Sequence, residues 1–163
     1  MPEMTDPAGA LALFQGAFAR GQIPVQPGRL DPTLLFAPDR PNGLARFNYM
    51  RSDGRTLKAL VMFAQSGTED GHPVFNLGYA VAEAFRGQGL AKATLAAALA
   101  ELTDGMSAAG IPCIHVEAVI DVDHAVSQRV AKTIFNAAPV NIIDSISGLP
   151  ALHFTRKIAL NKS

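Results

Sequence analysis

Apolar residues recur along this chain with two different periods, and the changes from one to the other outline its elements. Over residues 7–20, Leu11, Phe14 and Phe18 stand three and four apart among alanines, the spacing of a helix with one buried stripe. Residues 21–43 carry Pro24, Pro27, Pro32, Pro38 and Pro41, a density that forbids a long helix and predicts a wandering segment with short pieces of structure. Residues 44–51 and 56–65 are apolar stretches flanking Ser52-Asp53-Gly54-Arg55, and an Asp-Gly in that setting predicts a β-hairpin. A polar loop is expected over 66–73, then a strand over 74–81, so that three antiparallel strands come before Arg86. After it, Ala91, Leu95, Ala98, Leu99, Leu102 and Met106 keep a period of 3.6, a long helix closed by Gly110 and Pro112. A strand from Cys113 to Ile120, a shorter helix marked by Val126, Val130 and Ile134, and two strands near 140–146 and 151–159 complete the order. That order fits a mixed α+β sheet.

Composition narrows the picture. A length of 163 residues is one domain's worth and enough to bury a continuous core. Lys plus Arg and Asp plus Glu number 14 each, so nothing suggests an electrostatic footprint for nucleic acid or acidic lipid. The single cysteine, Cys113, excludes an intrachain disulfide and reads as a small buried filler at the head of its strand. No apolar run approaches the roughly 20 residues that cross a bilayer, and Glu3 and Asp6 are wrong for a secretory signal, so a cytoplasmic protein is the expectation. His72, His115, His124 and His153 show no close ligand spacing, and no metal site is expected.

Arg86-Gly87-Gln88-Gly89-Leu90-Ala91 is the most informative stretch. A glycine-rich turn between a strand and a helix start gathers unpaired N–H groups at the positive end of a helix dipole, a recipe for holding phosphate. The P-loop pattern is absent. The dinucleotide pattern begins well at Gly87 and Gly89 but meets Lys92 where a small residue should pack helix on strand. Backbone N–H groups from about Gln88 to Ala91 would face a pyrophosphate, Gly87 and Gly89 would permit its close approach, and Arg86 could add a charge-assisted contact.

What remains, Arg-x-x-Gly-x-Ala, resembles the acetyl-CoA loop of the GNAT superfamily of N-acetyltransferases, and the strand before it and helix after it fit. A second match lies at His124-Ala125-Val126-Ser127 through Lys132 and Phe135, where His124 stands in the usual Asn position and Ile134 replaces a usual Gly. The resemblance covers residues 44–136. It implies a mostly antiparallel sheet splayed at the cofactor site with helices on both faces. It implies one domain over 1–163, with 7–43 as a variable acceptor-side segment and 74–136 as the acetyl-CoA-binding core. The activity implied is acetyl transfer from acetyl-CoA to a primary amine. The backbone of Tyr79, Ala80 and Val81 would hydrogen-bond the pantetheine arm, Val81 also supplying an N–H to the thioester oxygen.

One departure stands out. The superfamily often supplies a Tyr to the leaving thiolate shortly after the second helix begins, yet the only tyrosines here are Tyr49 and Tyr79. His124 and Ser127 are the candidate replacements, His124 as acid or base or simply as a helix cap, and Ser127 as a contact to the cofactor arm. Glu117, mid-strand among apolar neighbours, is a candidate base acting through water; His72 and Glu83 are weaker ones. A polyamine, an amino acid, an antibiotic amine or a protein N-terminus all remain open as acceptor, neutral net charge weighing slightly against a strongly cationic one. A CoA-binding module without turnover is the rival reading, transfer of another acyl group a third. A homodimer is expected by analogy only.

Overall fold

A computed structural model describes residues 7–135 and 138–160. Eight strands form one sheet in the order β1-β2-β3-β4-β5-β6-β8-β7. Helix α1 (Pro7–Ala19) leads into β1 (Gln26–Pro27) and β2 (Leu35–Asp39). The strands β3 (Arg46–Asp53), β4 (Thr56–Glu69) and β5 (His72–Val81) follow, then α2 (Leu90–Ala108), β6 (Cys113–Asp121), α3 (Ala125–Ile134), β7 (Val140–Ile143) and β8 (Pro150–Ala159). All neighbours pair antiparallel except β5 and β6.

The hairpin at Asp53-Gly54 forms as expected, with Asp53 paired to Thr56. The loop expected over 66–73 does not form: β4 runs on to Glu69, β5 starts at His72, and only Asp70 and Gly71 turn the chain. Both have positive φ, 52° and 78°, as a type I′ hairpin requires. A register shift between Gln65 and Gly67 lets the polar Ser66-Gly67-Thr68 stretch pair despite its composition. The proline-rich segment supplies two further strands. Pro38 is tolerated in β2 because β1 covers only Leu35 and Phe36, which leaves Pro38 on a free edge.

Alternation along the strands sends side chains to two cores. Tyr49, Val61, Phe63, Phe75, Leu77, Ile114, Val116 and Ala118 face α2 and α3, meeting Leu95, Ala98, Leu102, Ala131 and Ile134. Met50, Leu57, Leu60 and Met62 face α1, meeting Leu11, Phe14 and Phe18 as the helical stripe foretold. Cys113 is free and buried, in keeping with a filler role.

One buried charged group breaks the apolar pattern of α2. Glu101 is 7% exposed, and its carboxylate accepts N–H bonds from Arg29 (3.0 Å), Leu30 (2.8 Å) and Asp31 (2.8 Å). The segment after α1 is thereby fastened to α2. Its bend is held by Asp31, whose carboxyl is pulled down to about 2 by hydrogen bonds from the Thr33 side chain and from Arg51.

Candidate functional site

The parallel pairing of β5 and β6 lasts for three residues, Val74 with His115, Phe75 with Val116, and Asn76 with Glu117. Beyond that vertex the two strands part, so Leu77–Val81 and Ala118–Asp121 line a gap in the sheet. Which backbone groups face it follows from alternation. Ala82 donates its N–H to the Lys58 carbonyl on β4 (2.9 Å). With Leu60 opposite Ala80 and Val61 opposite Tyr79 in the same register, Ala80 turns its backbone to β4 while Leu77, Tyr79 and Val81 turn theirs to the gap. Of the three residues expected to offer backbone bonds, Tyr79 and Val81 thus face the gap, as Leu77 does, while Ala80 faces β4.

The glycine-rich turn lies at the open end of the gap. After β5, Glu83–Phe85 makes a 3-10 turn, and Arg86 donates its N–H to the Glu83 carbonyl. Gly87 and Gly89 then take φ of +77° and +71°, values that L side chains rarely adopt. Helix α2 starts at Leu90 with Gly89 as its N-cap and no side chain capping it. Among the described residues, the N–H groups of Gly87, Gln88, Gly89, Leu90, Ala91 and Lys92 find no acceptor in the protein; the first in the helix to do so is Ala93, on Gly89. A Cβ built on Gly87 or Gly89 meets nothing within 4 Å, so the hollow they border is open. Arg86 stands beside it, its Nε donating to the Val81 carbonyl at 3.0 Å.

On the far side of the gap His124 and Ser127 open α3. His124 is the N-cap, its Nδ1 accepting the N–H of Ser127 at 3.2 Å, and Nε2 lies 3.5 Å from Ser127 Oγ. The capping alternative for His124 is therefore realised, with its Nδ1 engaged in holding the helix start. Tyr79 spans the gap on the α2 and α3 side and donates its hydroxyl to the Ser127 carbonyl at 2.6 Å. A tyrosine hydroxyl thus does stand at the start of α3, brought from 48 residues earlier in the chain. Burial pushes the Tyr79 hydroxyl up to about 12, with the Ser127 side-chain hydroxyl opposing it. A folded value above the unfolded 10.0 means that this group's contribution is whole below pH 10 and is lost as pH rises through 12. Burial, with the Glu101 charge adding to it, pushes Tyr49 the same way. We expect denaturant melts to weaken over that window, and Tyr79→Phe to remove a share of the loss on the order of 2–3 kcal/mol. An alkaline limb identical in the variant refutes this.

Glu117 stands at the vertex on the opposite face, towards α1. Its Oε2 lies 3.0 Å from His153 Nε2 on β8 and its Oε1 3.5 Å from Ser66 Oγ. Sequence reading missed His153, whose only signal is its place across an antiparallel pair from Val119, one step from Glu117. His72 sits at the Asp70-Gly71 hairpin, edge-on to His115, at the end of the sheet away from the gap. Glu83 lies exposed in the 3-10 turn.

The arrangement of these elements recurs among solved structures. An acetyltransferase of the GNAT family from Streptococcus pneumoniae matches with a TM-score of 0.54 at 10% identity, over 70% of this chain and 67% of that one. The fold is that of the GNAT acetyltransferases. A provisionally assigned GnaT-family acetyltransferase from Bordetella pertussis matches with a TM-score of 0.51 at 21% identity, over 69% of this chain and 65% of that one. A ribosomal L7/L12 alpha-N-protein acetyltransferase in complex with coenzyme A matches at 0.52 and 18% identity, over 71% and 64%. The GNAT-like chain thus spans about two thirds of the length of these proteins. No family model and no curated protein matches the sequence. Among the described residues, no helix is long and apolar enough to cross a membrane.

Proposed function

We propose that this chain is an acetyl-CoA-dependent N-acetyltransferase acting on a primary amine. The observation that carries the reading is the run of six acceptor-less N–H groups at the head of α2, beside strands that part to admit an extended arm. Gln88, Gly89, Leu90 and Ala91 hold the pyrophosphate by their N–H groups, Gly87 and Gly89 keep its seat clear, and the dipole of α2 favours its charge. The pantetheine arm lies along Leu77, Tyr79 and Val81 as an added half-strand. From Val81 back to Asn76 is five residues, about 17 Å of strand, which brings the thioester towards the vertex where Glu117 stands. Ser127 borders the arm from α3.

At the vertex the amine must lose a proton before its nitrogen bonds to the acetyl carbon. Glu117 takes that proton, its carboxylate held in place by the Nε2–H of His153 at 3.0 Å. The backbone N–H facing the gap next to the vertex, that of Leu77 by its position and not that of Val81, steadies the oxygen as charge develops on it. The carbon–sulfur bond then breaks and the thiolate takes up a proton, for which the Tyr79 hydroxyl and His124 Nε2 are the donors at hand. The Tyr79 hydroxyl at the start of α3 also answers the absence of a tyrosine beyond residue 124, an absence that favours a binding module without turnover. Isothermal titration with acetyl-CoA and thiol release against an amine panel test the reading. We expect micromolar binding and turnover, with Glu117→Gln lowering kcat by about 10²–10³-fold at unchanged cofactor affinity. Binding with no thiol release from any amine would leave only the module, and no binding would reject both.

A further inference from the structure

The face of the sheet turned towards α1 holds a cavity of about 410 Å3, lined by Asn42, Arg46, Gln65, Ser66 and Glu117 among others. That is the lower part of the range of small-molecule sites. Glu117 is its one acidic wall and Arg46 its one basic wall. The two lie on β6 and β3, three strand steps or about 14 Å apart at the backbone, so their long side chains come within several ångströms of a common ligand. Arg46 is anchored by Nε and Nη2 to the Asp39 carboxylate and stacks over Phe14, a fixed cation with Nη1 left over. Between the charges, Asn42, Gln65 and Ser66 supply neutral donors and acceptors.

Resting on the reading just given, we infer that the acceptor is a short peptide-like amine, a free α-amino group followed within a few bonds by a carbonyl or carboxylate, and not a polyamine. Its ammonium meets Glu117 at the vertex, and its carbonyl or carboxylate end turns to Arg46 and the amides. A lone alkylammonium leaves Arg46 and those amides without ligand contacts. A polyamine sets a second cation against the guanidinium, and both carboxylates at hand are already engaged, Glu117 with His153 and Asp39 with Arg46. The sequence left four acceptor classes open. This pairing of charges selects among them.

The test is equilibrium binding of glycylglycine, n-butylamine and spermidine to the protein saturated with coenzyme A, read by calorimetry, alongside thiol release from acetyl-CoA with the same amines. We expect glycylglycine to bind at least about tenfold more tightly than either rival. Glu117→Gln should erase its binding advantage. Arg46→Lys, which keeps the charge but not the fork to Asp39, should weaken glycylglycine severalfold and leave butylamine unchanged. Preference for glycylglycine supports the inference even without thiol release, in which case turnover alone is refuted. Equal or tighter binding of spermidine or butylamine, or no binding of glycylglycine, overturns the inference, while thiol release from another amine keeps the transferase reading intact.

Discussion

Replacing Gly89 by glutamate should abolish measurable acetyl-CoA binding while the protein stays folded. Gly89 holds φ +71° as the N-cap of α2, and a side chain there costs about 1–2 kcal/mol in the left-handed region. A carboxylate at that point sits among the N–H groups from Gly87 to Lys92, where it satisfies the helix start and so offsets part of the strain. The same carboxylate occupies the hollow that a pyrophosphate needs and repels it. The two effects on the ligand together should weaken binding by at least about a hundredfold, roughly 2.7 kcal/mol. Gly89→Ala separates them, carrying the strain without the charge, and should lose far less affinity. Calorimetry gives the affinities and a thermal melt followed by circular dichroism gives the fold. Unchanged affinity in Gly89→Glu, with the variant folded, would falsify the placement of phosphate at this turn.

Glu101→Ala is expected to be the most destabilising single change outside the apolar core. It removes a carboxylate that accepts three N–H bonds and leaves those donors facing a hole beneath α2. Charged hydrogen bonds of this kind and the desolvation of orphaned donors put the loss at about 2–4 kcal/mol, or roughly 5–15 °C in Tm for a chain of this size. Glu101→Gln should lose about half as much, because one oxygen survives and the amide nitrogen meets an N–H with an N–H. Gly28 is held to glycine by the same contact: a Cβ there falls 2.5 Å from the Asp31 carbonyl oxygen and 2.6 Å from Glu101 Oε2. A Tm for Glu101→Ala within about 2 °C of the parent means water serves those three amides as well as the carboxylate does, and the fastening is then incidental.

What the sequence made legible is what local periodicity encodes. The stripe of α1, the hairpin at Asp53-Gly54, the helix after the glycine turn and the strand at Cys113 all stand where the pattern put them. The second hairpin was hidden because polar residues, Ser66, Thr68 and His72 among them, flank Asp70-Gly71, so no apolar alternation carries the two expected strands up to the turn. β1 and β2 were hidden by their prolines, which mark irregular chain unless one knows that the strands sit at an edge. At the site, the loop was legible because its residues are contiguous. The partners that set its chemistry were not: Glu117 meets His153 across 36 residues, Tyr79 meets Ser127 across 48, and Arg29–Asp31 meet Glu101 across about 70. Glu101 in particular reads as the solvent side of a helix until the bend of residues 29–31 is laid against it.

The short parallel seam has a mechanical corollary. Five strands lie on one side of it and three on the other, and only Val74–Asn76 against His115–Glu117 stitch them. Beyond it the two boards meet through greasy contact beneath, from α2 and α3, and a few side-chain bridges such as Tyr79 to Ser127 and Glu69 to His115. Such a spine lets the boards tilt about one line without unzipping any antiparallel ladder, so the mouth can widen for a bulky donor and narrow upon it with each ladder left whole.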